Sequence, residues 1–165
     1  MKKIGLLSDT HAYWDDKFAH YFSGCDEIWH AGDIGSLEVL DQLERIKPVR
    51  AVYGNIDDAL LRSACPGKLR FEVEEVSVLL THIGGYPGKY EPSIRREIYA
   101  NPPQLFVCGH SHILKIGYDK NLQMLCLNPG AAGKYGFHQV RTILRFAIDG
   151  KDVRNMEVIE LVLSG

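Results

Sequence analysis

Five short stretches carry the side chains that could do chemistry: Asp9-Thr10-His11, Gly32-Asp33, Gly54-Asn55, Thr81-His82 and Gly109-His110-Ser111-His112. Asp and His offer hard oxygen and borderline nitrogen donors, a set suited to Mn, Fe(II) or Zn, with geometry selecting among them. Two such ions ~3.5–4 Å apart can clamp a phosphoryl oxygen and share a hydroxide whose pKa falls towards ~7. A carboxylate lying between the ions would bridge them, and Asp33 is the candidate. Glycine ahead of Asp33, Asn55 and His110 lets the backbone turn sharply and approach an ion closely. Each stretch is weak alone. Asp33 could cap a following helix, Asn55 could be a turn residue, and His82 a hydrogen-bonded loop histidine. What makes the set specific is where the stretches fall.

Each follows a short apolar run that reads as a strand. Lys3–Leu7 is the first buried strand, followed by a helix over Asp15–Phe22 with Phe18, Ala19 and Phe22 at helical spacing. Glu27–Ala31 is the second strand. Ser36 is placed to cap a helix carrying Leu37, Leu40, Leu43 and Ile46, which Pro48 closes before a third strand over Val49–Tyr53. This βαβαβ order implies a parallel, right-handed start. Leu69–Val73 and Val76–Thr81 form a plausible hairpin across Glu74-Glu75, and Pro92–Tyr99 is a helix with proline in its first turn. Leu105–Cys108, Ile113–Tyr118, Leu122–Leu127, Gln139–Ile148 and Val153–Val162 then read as strands, with Asp119-Lys120-Asn121 and Asp149-Gly150 as turns. The chemistry-bearing stretches therefore sit at strand carboxyl ends, where ligands gather in open α/β sheets.

Composition narrows the partners. Lys+Arg 19 against Asp+Glu 21 give a formal charge of -2 in 165 residues, so no extended nucleic-acid surface is expected. Cys25, Cys65, Cys108 and Cys126 contain no Cys-x-x-Cys pair, and Cys108 and Cys126 lie within apolar runs as small hydrophobes. The apolar stretch after Met1-Lys2-Lys3 stops at Ser8-Asp9, short of a signal-peptide core, and no run approaches the ~18 apolar residues of a membrane span. A single domain over residues 1–165, without a membrane partner and in a reducing cytoplasm, is the expectation. Of the seven histidines, His20, His30 and His138 lie outside the stretches above. His20 reads as a surface or edge residue and His30 as a packed strand histidine with orientation of a ligand as its alternative. His138 has no partner evident in sequence. Asn128-Pro129-Gly130 reads as a turn, and Gly84–Gly88 as a connection that could flank the substrate.

The motifs Asp9-x-His11, Gly32-Asp33, Gly54-Asn55, His82 and Gly109-His110-x-His112, in this order, resemble the calcineurin-like metallophosphoesterase family. The likeness covers nearly all of the chain and is strongest to the small single-domain phosphodiesterase branch. It implies an α/β four-layer αββα sandwich, two mixed β-sheets flanked by helices. It also implies one metal held by Asp9, His11, Asp33 and His112 and another by Asp33, Asn55, His82 and His110. Mn is the favoured ion, with Fe, Zn or Ni as alternatives. Asp33, Asn55 and His82 are the residues expected to act in catalysis, with Asn55 also touching the substrate phosphate. One departure matters. Many family members carry Asn-His-Glu at the third motif, where that histidine is thought to protonate the leaving group, whereas this chain has Asn55-Ile56-Asp57. Isoleucine donates no proton, and general-acid help is worth roughly 10²–10⁴-fold, so diesters and activated esters are favoured over alkyl monoesters. The expected function is hydrolysis of a small phosphodiester by a metal-bridging hydroxide. A non-catalytic scaffold of the same fold, like the retromer subunit that resembles this family, and a phosphomonoesterase are the alternatives. Self-association into a homo-oligomer stays open.

Overall fold

In the first strand, β1 (Lys2–Leu7), Ile4 and Leu6 point to one apolar layer and Leu7 joins the other, as strand alternation requires. A computed structural model describes residues 1–161. After β1 come α1 (Lys17–Phe22), β2 (Glu27–His30), α2 (Leu37–Glu44), β3 (Val49–Ala51) and α3 (Ala59–Ala64). Then follow β4 (Lys68–Val73), β5 (Val76–Thr81), the short pair β6 (Gly85–Tyr86) and β7 (Lys89–Tyr90), and α4 (Pro92–Ala100). The chain closes with β8 (Leu105–Val107), β9 (Leu114–Asp119), β10 (Met124–Pro129), β11 (Arg141–Asp149) and β12 (Asp152–Leu161).

Two five-stranded mixed sheets form, in the orders β12-β11-β1-β2-β3 and β4-β5-β8-β10-β9. Between them lies an apolar layer that includes Ile4, Leu6, Trp29, Val78, Leu80, Val107, Leu127 and Phe146. The outer face of the first sheet, with Leu7 and Ile28, packs on Phe18 and Phe22 of α1, Val39, Leu40 and Leu43 of α2 and Leu61 of α3. On the second sheet, Leu79, Phe106 and Met124 pack on Ile94 and Ile98 of α4. The architecture is the expected αββα sandwich.

Parallel register sets the edge that matters. Leu7 lies opposite His30, and His30 opposite Ala51, so β1, β2 and β3 end together. In the second sheet Leu80 lies opposite Val107, so β5 and β8 end together as well. All five chemistry-bearing stretches leave from these ends.

Some expectations shift. The first helix starts at Lys17 rather than Asp15, because Asp15 instead turns the chain, its carboxylate accepting from the Lys17 N–H (2.9 Å). The third strand ends at Ala51, since the Tyr53 N–H already turns to the Pro66 carbonyl (2.9 Å). Helix α3 has only Leu61 buried, too little for a periodic signal, yet the Asp58 carboxylate caps it at the Leu61 N–H (3.1 Å). The Asn128-Pro129 step continues β10 rather than turning, Pro129 sitting at the strand's last position opposite Leu114. Gly84–Gly88 holds half of the β6–β7 pair. The final predicted residue of the last strand, Val162, lies outside the described residues.

Candidate metal centre

Turns that leave strand ends this sharply demand unusual backbone. Asp9 (φ 54°), His11 (φ 46°), Asp33 (φ 54°), His110 (φ 74°) and His112 (φ 62°) all adopt the left-handed region. Each such residue costs of order 1–3 kcal/mol, and such strain persists where the surroundings fix it, often at functional sites. The glycines serve close approach. A Cβ on Gly54 would collide with the Asp33 carboxylate and backbone N, and one on Gly109 with Ser8 Oγ and Asp9 Oδ2.

The seven predicted polar residues converge. His112 Nε2 lies 3.2 Å from Asp9 Oδ1, and His11 Nε2 lies 3.7 Å from the same oxygen. Asp33 Oδ2 is 3.5 Å from His11 Nε2 and 3.2 Å from His82 Nε2. Two groups result, Asp9–His11–His112 and Asp33–His82–His110, each with donor atoms within 4.8 Å of one another. Asn55 Oδ1 joins the second group through His110 Nδ1 at 3.1 Å. Asp33 sits at the junction of the two.

Hydrogen bonds aim the free atoms inward. Asp9 Oδ2 accepts from Ser8 Oγ (2.6 Å) and the His110 N–H (3.0 Å), leaving Oδ1 for the centre. Asp33 Oδ1 accepts from the Ile56 N–H (3.1 Å), leaving Oδ2. His82 Nδ1 bonds the Ala31 carbonyl (2.7 Å), which fixes the proton there and turns the Nε2 lone pair to Asp33. Among the described residues, Asp9 Oδ1, His11 Nε2 and His82 Nε2 are buried and find no hydrogen-bond partner. Such atoms are costly unless something else satisfies them, and a divalent cation is the group that two carboxylates and four imidazoles fit.

Charges respond accordingly. Burial opposes ionisation of Asp9, but the neighbouring imidazoles of His11 and His112, the field of His82 and the Ser8 hydroxyl hold its carboxyl well below the usual range. Burial likewise opposes charge on Asp33, and His82 with the Ile56 N–H overcomes it. Burial resists a charged His82, yet the Asp33 contact and the fields of both carboxylates raise its pKa. The carboxylates are thus held anionic, the form in which they bind metal.

Further residues support the site from behind, and of these Asp57 and Asn128 were given no supporting role by the sequence. Asp57 accepts from the Gly54 (2.8 Å), Ile34 (3.1 Å) and Gly35 (2.9 Å) N–H groups, tying the Asp33 and Asn55 loops together. Its position two residues after Asn55 was the available hint. His30 is a buried strand histidine, but it also orients the site: Nδ1 accepts from the Gly32 N–H (3.0 Å) and Nε2 faces Thr10 Oγ1 (3.0 Å). Asn128 Nδ2 donates to the Gly109 carbonyl (3.0 Å) and to Ser111 Oγ (3.1 Å), bracing the last stretch. His138 finds the Gly133 carbonyl (2.7 Å) and packs edge-on against His112, while His20 is exposed as expected. Asp33 is not a helix cap; Ser36 fills that role at the Val39 N–H (3.4 Å).

Two cavities flank the centre. One of about 670 Å³ is walled by His110, Ser111, His112, Ile113, Tyr135 and Phe137. The other, about 410 Å³, runs from His110 past Gly84, Tyr86 and Lys115. A third, near Cys25 and Arg145, is remote from the ligands.

Strand-end ligands on an αββα sandwich define the class, and comparison with known proteins agrees. Residues 1–151 match the calcineurin-like phosphoesterase superfamily domain. A probable metallophosphoesterase of Methanothermobacter thermautotrophicus is 31% identical over 134 residues, 78% of this chain and 76% of that one. This chain therefore belongs to the calcineurin-like phosphoesterases. Among solved structures, an archaeal phosphodiesterase superposes with a TM-score of 0.77 at 23% identity, covering 96% of this chain and 99% of that one. Entamoeba histolytica Vps29 complexed with zinc does so with a TM-score of 0.74 at 15% identity, covering 96% and 98%. These two show the shared fold. Among the described residues, no helix is long and apolar enough to cross a membrane.

Proposed function

We propose that this protein is a two-metal phosphodiesterase acting on a small phosphodiester. The observation that carries the reading is Asp33 Oδ2, placed 3.5 Å from His11 Nε2 and 3.2 Å from His82 Nε2, where one carboxylate serves both groups. Asp9, His11, Asp33 and His112 would hold one ion, and Asp33, Asn55, His82 and His110 the other, Mn being the favoured pair with Fe, Zn or Ni as alternatives. When bound, such ions neutralise charge on phosphoryl oxygens and lower the pKa of water towards ~7. With two carboxylates against two dications the site is locally positive, so it draws a small anion without a basic patch.

The chain's own residues do the positioning. Asn55 reaches the phosphate from the second group, and His82 is held in one tautomer by the Ala31 carbonyl. Ile56 gives its N–H to Asp33 and has no side-chain proton for a leaving group, which favours diesters and activated esters. The two cavities on either side of His110 suit a phosphorus with two substituents. The donor set is complete, with both carboxylates, four imidazoles and the Asn55 amide brought together, so binding alone ranks second. We place the protein in the cytoplasm as a single domain.

Asp33→Asn tests the reading. Bound metal should drop from two ions per chain, and hydrolysis of bis(4-nitrophenyl) phosphate should fall at least ~100-fold, more than loss of a supporting group costs. Activity persisting in that variant in metal-free buffer would refute the assignment.

A further inference from the structure

The larger cavity beside the ligands has an unusual wall. Tyr135 stacks on His11 (ring centroids 4.8 Å apart, 28° between planes), which sets its exposed ring beside the site. Phe137, two residues on, is fully exposed, and Ile113 opposite is largely exposed. Leaving a phenylalanine in water forfeits roughly the whole benefit of burying it, so an exposed aromatic cluster beside a polar centre marks a binding surface. His110 and His112 line this same cavity and also belong to the two ligand groups. A substituent leaving the phosphorus on the His112 side enters it directly.

We infer that the cavity bounded by Ile113, Tyr135 and Phe137 takes a nucleobase, making the substrate a nucleoside phosphodiester of mononucleotide size; the inference rests on the phosphodiesterase reading above. A planar base has a π-face for each ring and polar edges for the Ser111 hydroxyl. An alkyl chain would pack on the rings but leave the Ser111 hydroxyl unmatched. The cavity volume, about 670 Å³, lies within the ~300–1,000 Å³ range of small-ligand sites. The chain's formal charge of -2 gives no sign of a track for a longer polyanion.

Equilibrium binding to the Mn-loaded protein separates the base from the phosphate. AMP and ribose 5-phosphate share the phosphate and sugar and differ in the base. AMP should bind about tenfold or more tightly, the scale of base–aromatic stacking. Phe137→Ala should close most of that gap, whereas Tyr99→Ala, a remote exposed aromatic, should leave it. Equal affinities in a protein that hydrolyses bis(4-nitrophenyl) phosphate overturn the nucleobase site alone, as does a gap that survives Phe137→Ala and Tyr135→Ala together. A protein that binds neither ligand, takes up no Mn and hydrolyses no diester overturns both readings.

Discussion

His30 shows how a single buried side chain can serve the centre without touching an ion. Its Nδ1 accepts from the Gly32 N–H, so its proton resides on Nε2 and faces Thr10 Oγ1, whose hydroxyl in turn donates to the Ile34 carbonyl (2.8 Å). Both loops that lead into Asp9–His11 and Asp33 hang on this neutral imidazole. Burial holds its pKa down to about 4, against about 6.5 in an unfolded chain. Between those two values the unfolded state binds a proton that the folded state refuses. Stability from this group is therefore complete above pH ~6.5 and drains away as pH falls towards 4, by about 3 kcal/mol in all. His82 shifts the opposite way in the metal-free protein, but that contribution cancels when two variants are compared. In chelator, the Tm of the wild type should fall more steeply between pH 7 and 4.5 than that of His30→Gln. Parallel curves would show that His30 titrates no differently when folded.

At the scale of elements, the strands aim the site and the loops are clamped from behind. Asp57 is the main clamp, its carboxylate satisfying three backbone N–H groups from two loops. Asp57→Ala leaves those donors unpaired, and each buried orphan costs ~1–3 kcal/mol. The expected loss is about 3 kcal/mol, read as a Tm drop of roughly 6–12 °C for a chain of this size. Metal affinity should weaken ~10–100-fold with it, measured by Mn titration, because Asp33 and Asn55 both ride on the clamped loops. Gly54→Ala moves the ligand itself. Its Cβ would displace the Asp33 carboxylate and press on the Asp33 backbone N, so metal binding should be lost and Tm lowered while the fold's circular dichroism is kept. Retained Mn binding would mean that the loop yields more than its contacts suggest. The elements missed in sequence are the ones with least apolar pattern: α3, with one buried residue, and the two-residue strands β6 and β7. Strands such as β5 and β11 were legible as near-continuous apolar runs, because burial on both faces forces their composition.

For the whole molecule, the site couples two sheets, since Asp9 and Asp33 follow strands of the first while His82, His110 and His112 follow strands of the second. A pair of ions would staple the sandwich at this edge. Ligands that bind only the folded state stabilise it by about 2.7 kcal/mol at a hundred times Kd, so saturating Mn should raise Tm by roughly 5–10 °C. A chelator should reverse the rise. A Tm indifferent to Mn, Fe(II), Zn and Ni alike would contradict a resident metal pair. With metal present, bis(4-nitrophenyl) phosphate should be turned over at least ~10-fold faster than 4-nitrophenyl phosphate, since two cavities would receive two arms; both release 4-nitrophenolate, which needs no acid, so the comparison reads the second arm alone.

The sequence by itself determined the order of the longer strands and of α1, α2 and α4, and the donor types, because hydrophobic period and the chemistry of Asp, His and Asn are local properties. It also placed those donors at strand ends, which Asp9-x-His11 and Gly109-His110-x-His112 make visible without coordinates. Only the tertiary structure decided which oxygen and nitrogen atoms face the centre. That choice depends on Ser8, Ala31, Ile56 and Asp57, whose hydrogen bonds occupy the other atom or hold the loop. Tertiary packing alone also decided between the two readings of His30, which proves to serve as both, and revealed the Tyr135–Phe137 wall. Both rest on contacts between segments far apart in the chain, such as Tyr135 with His11, and no local pattern encodes such pairings.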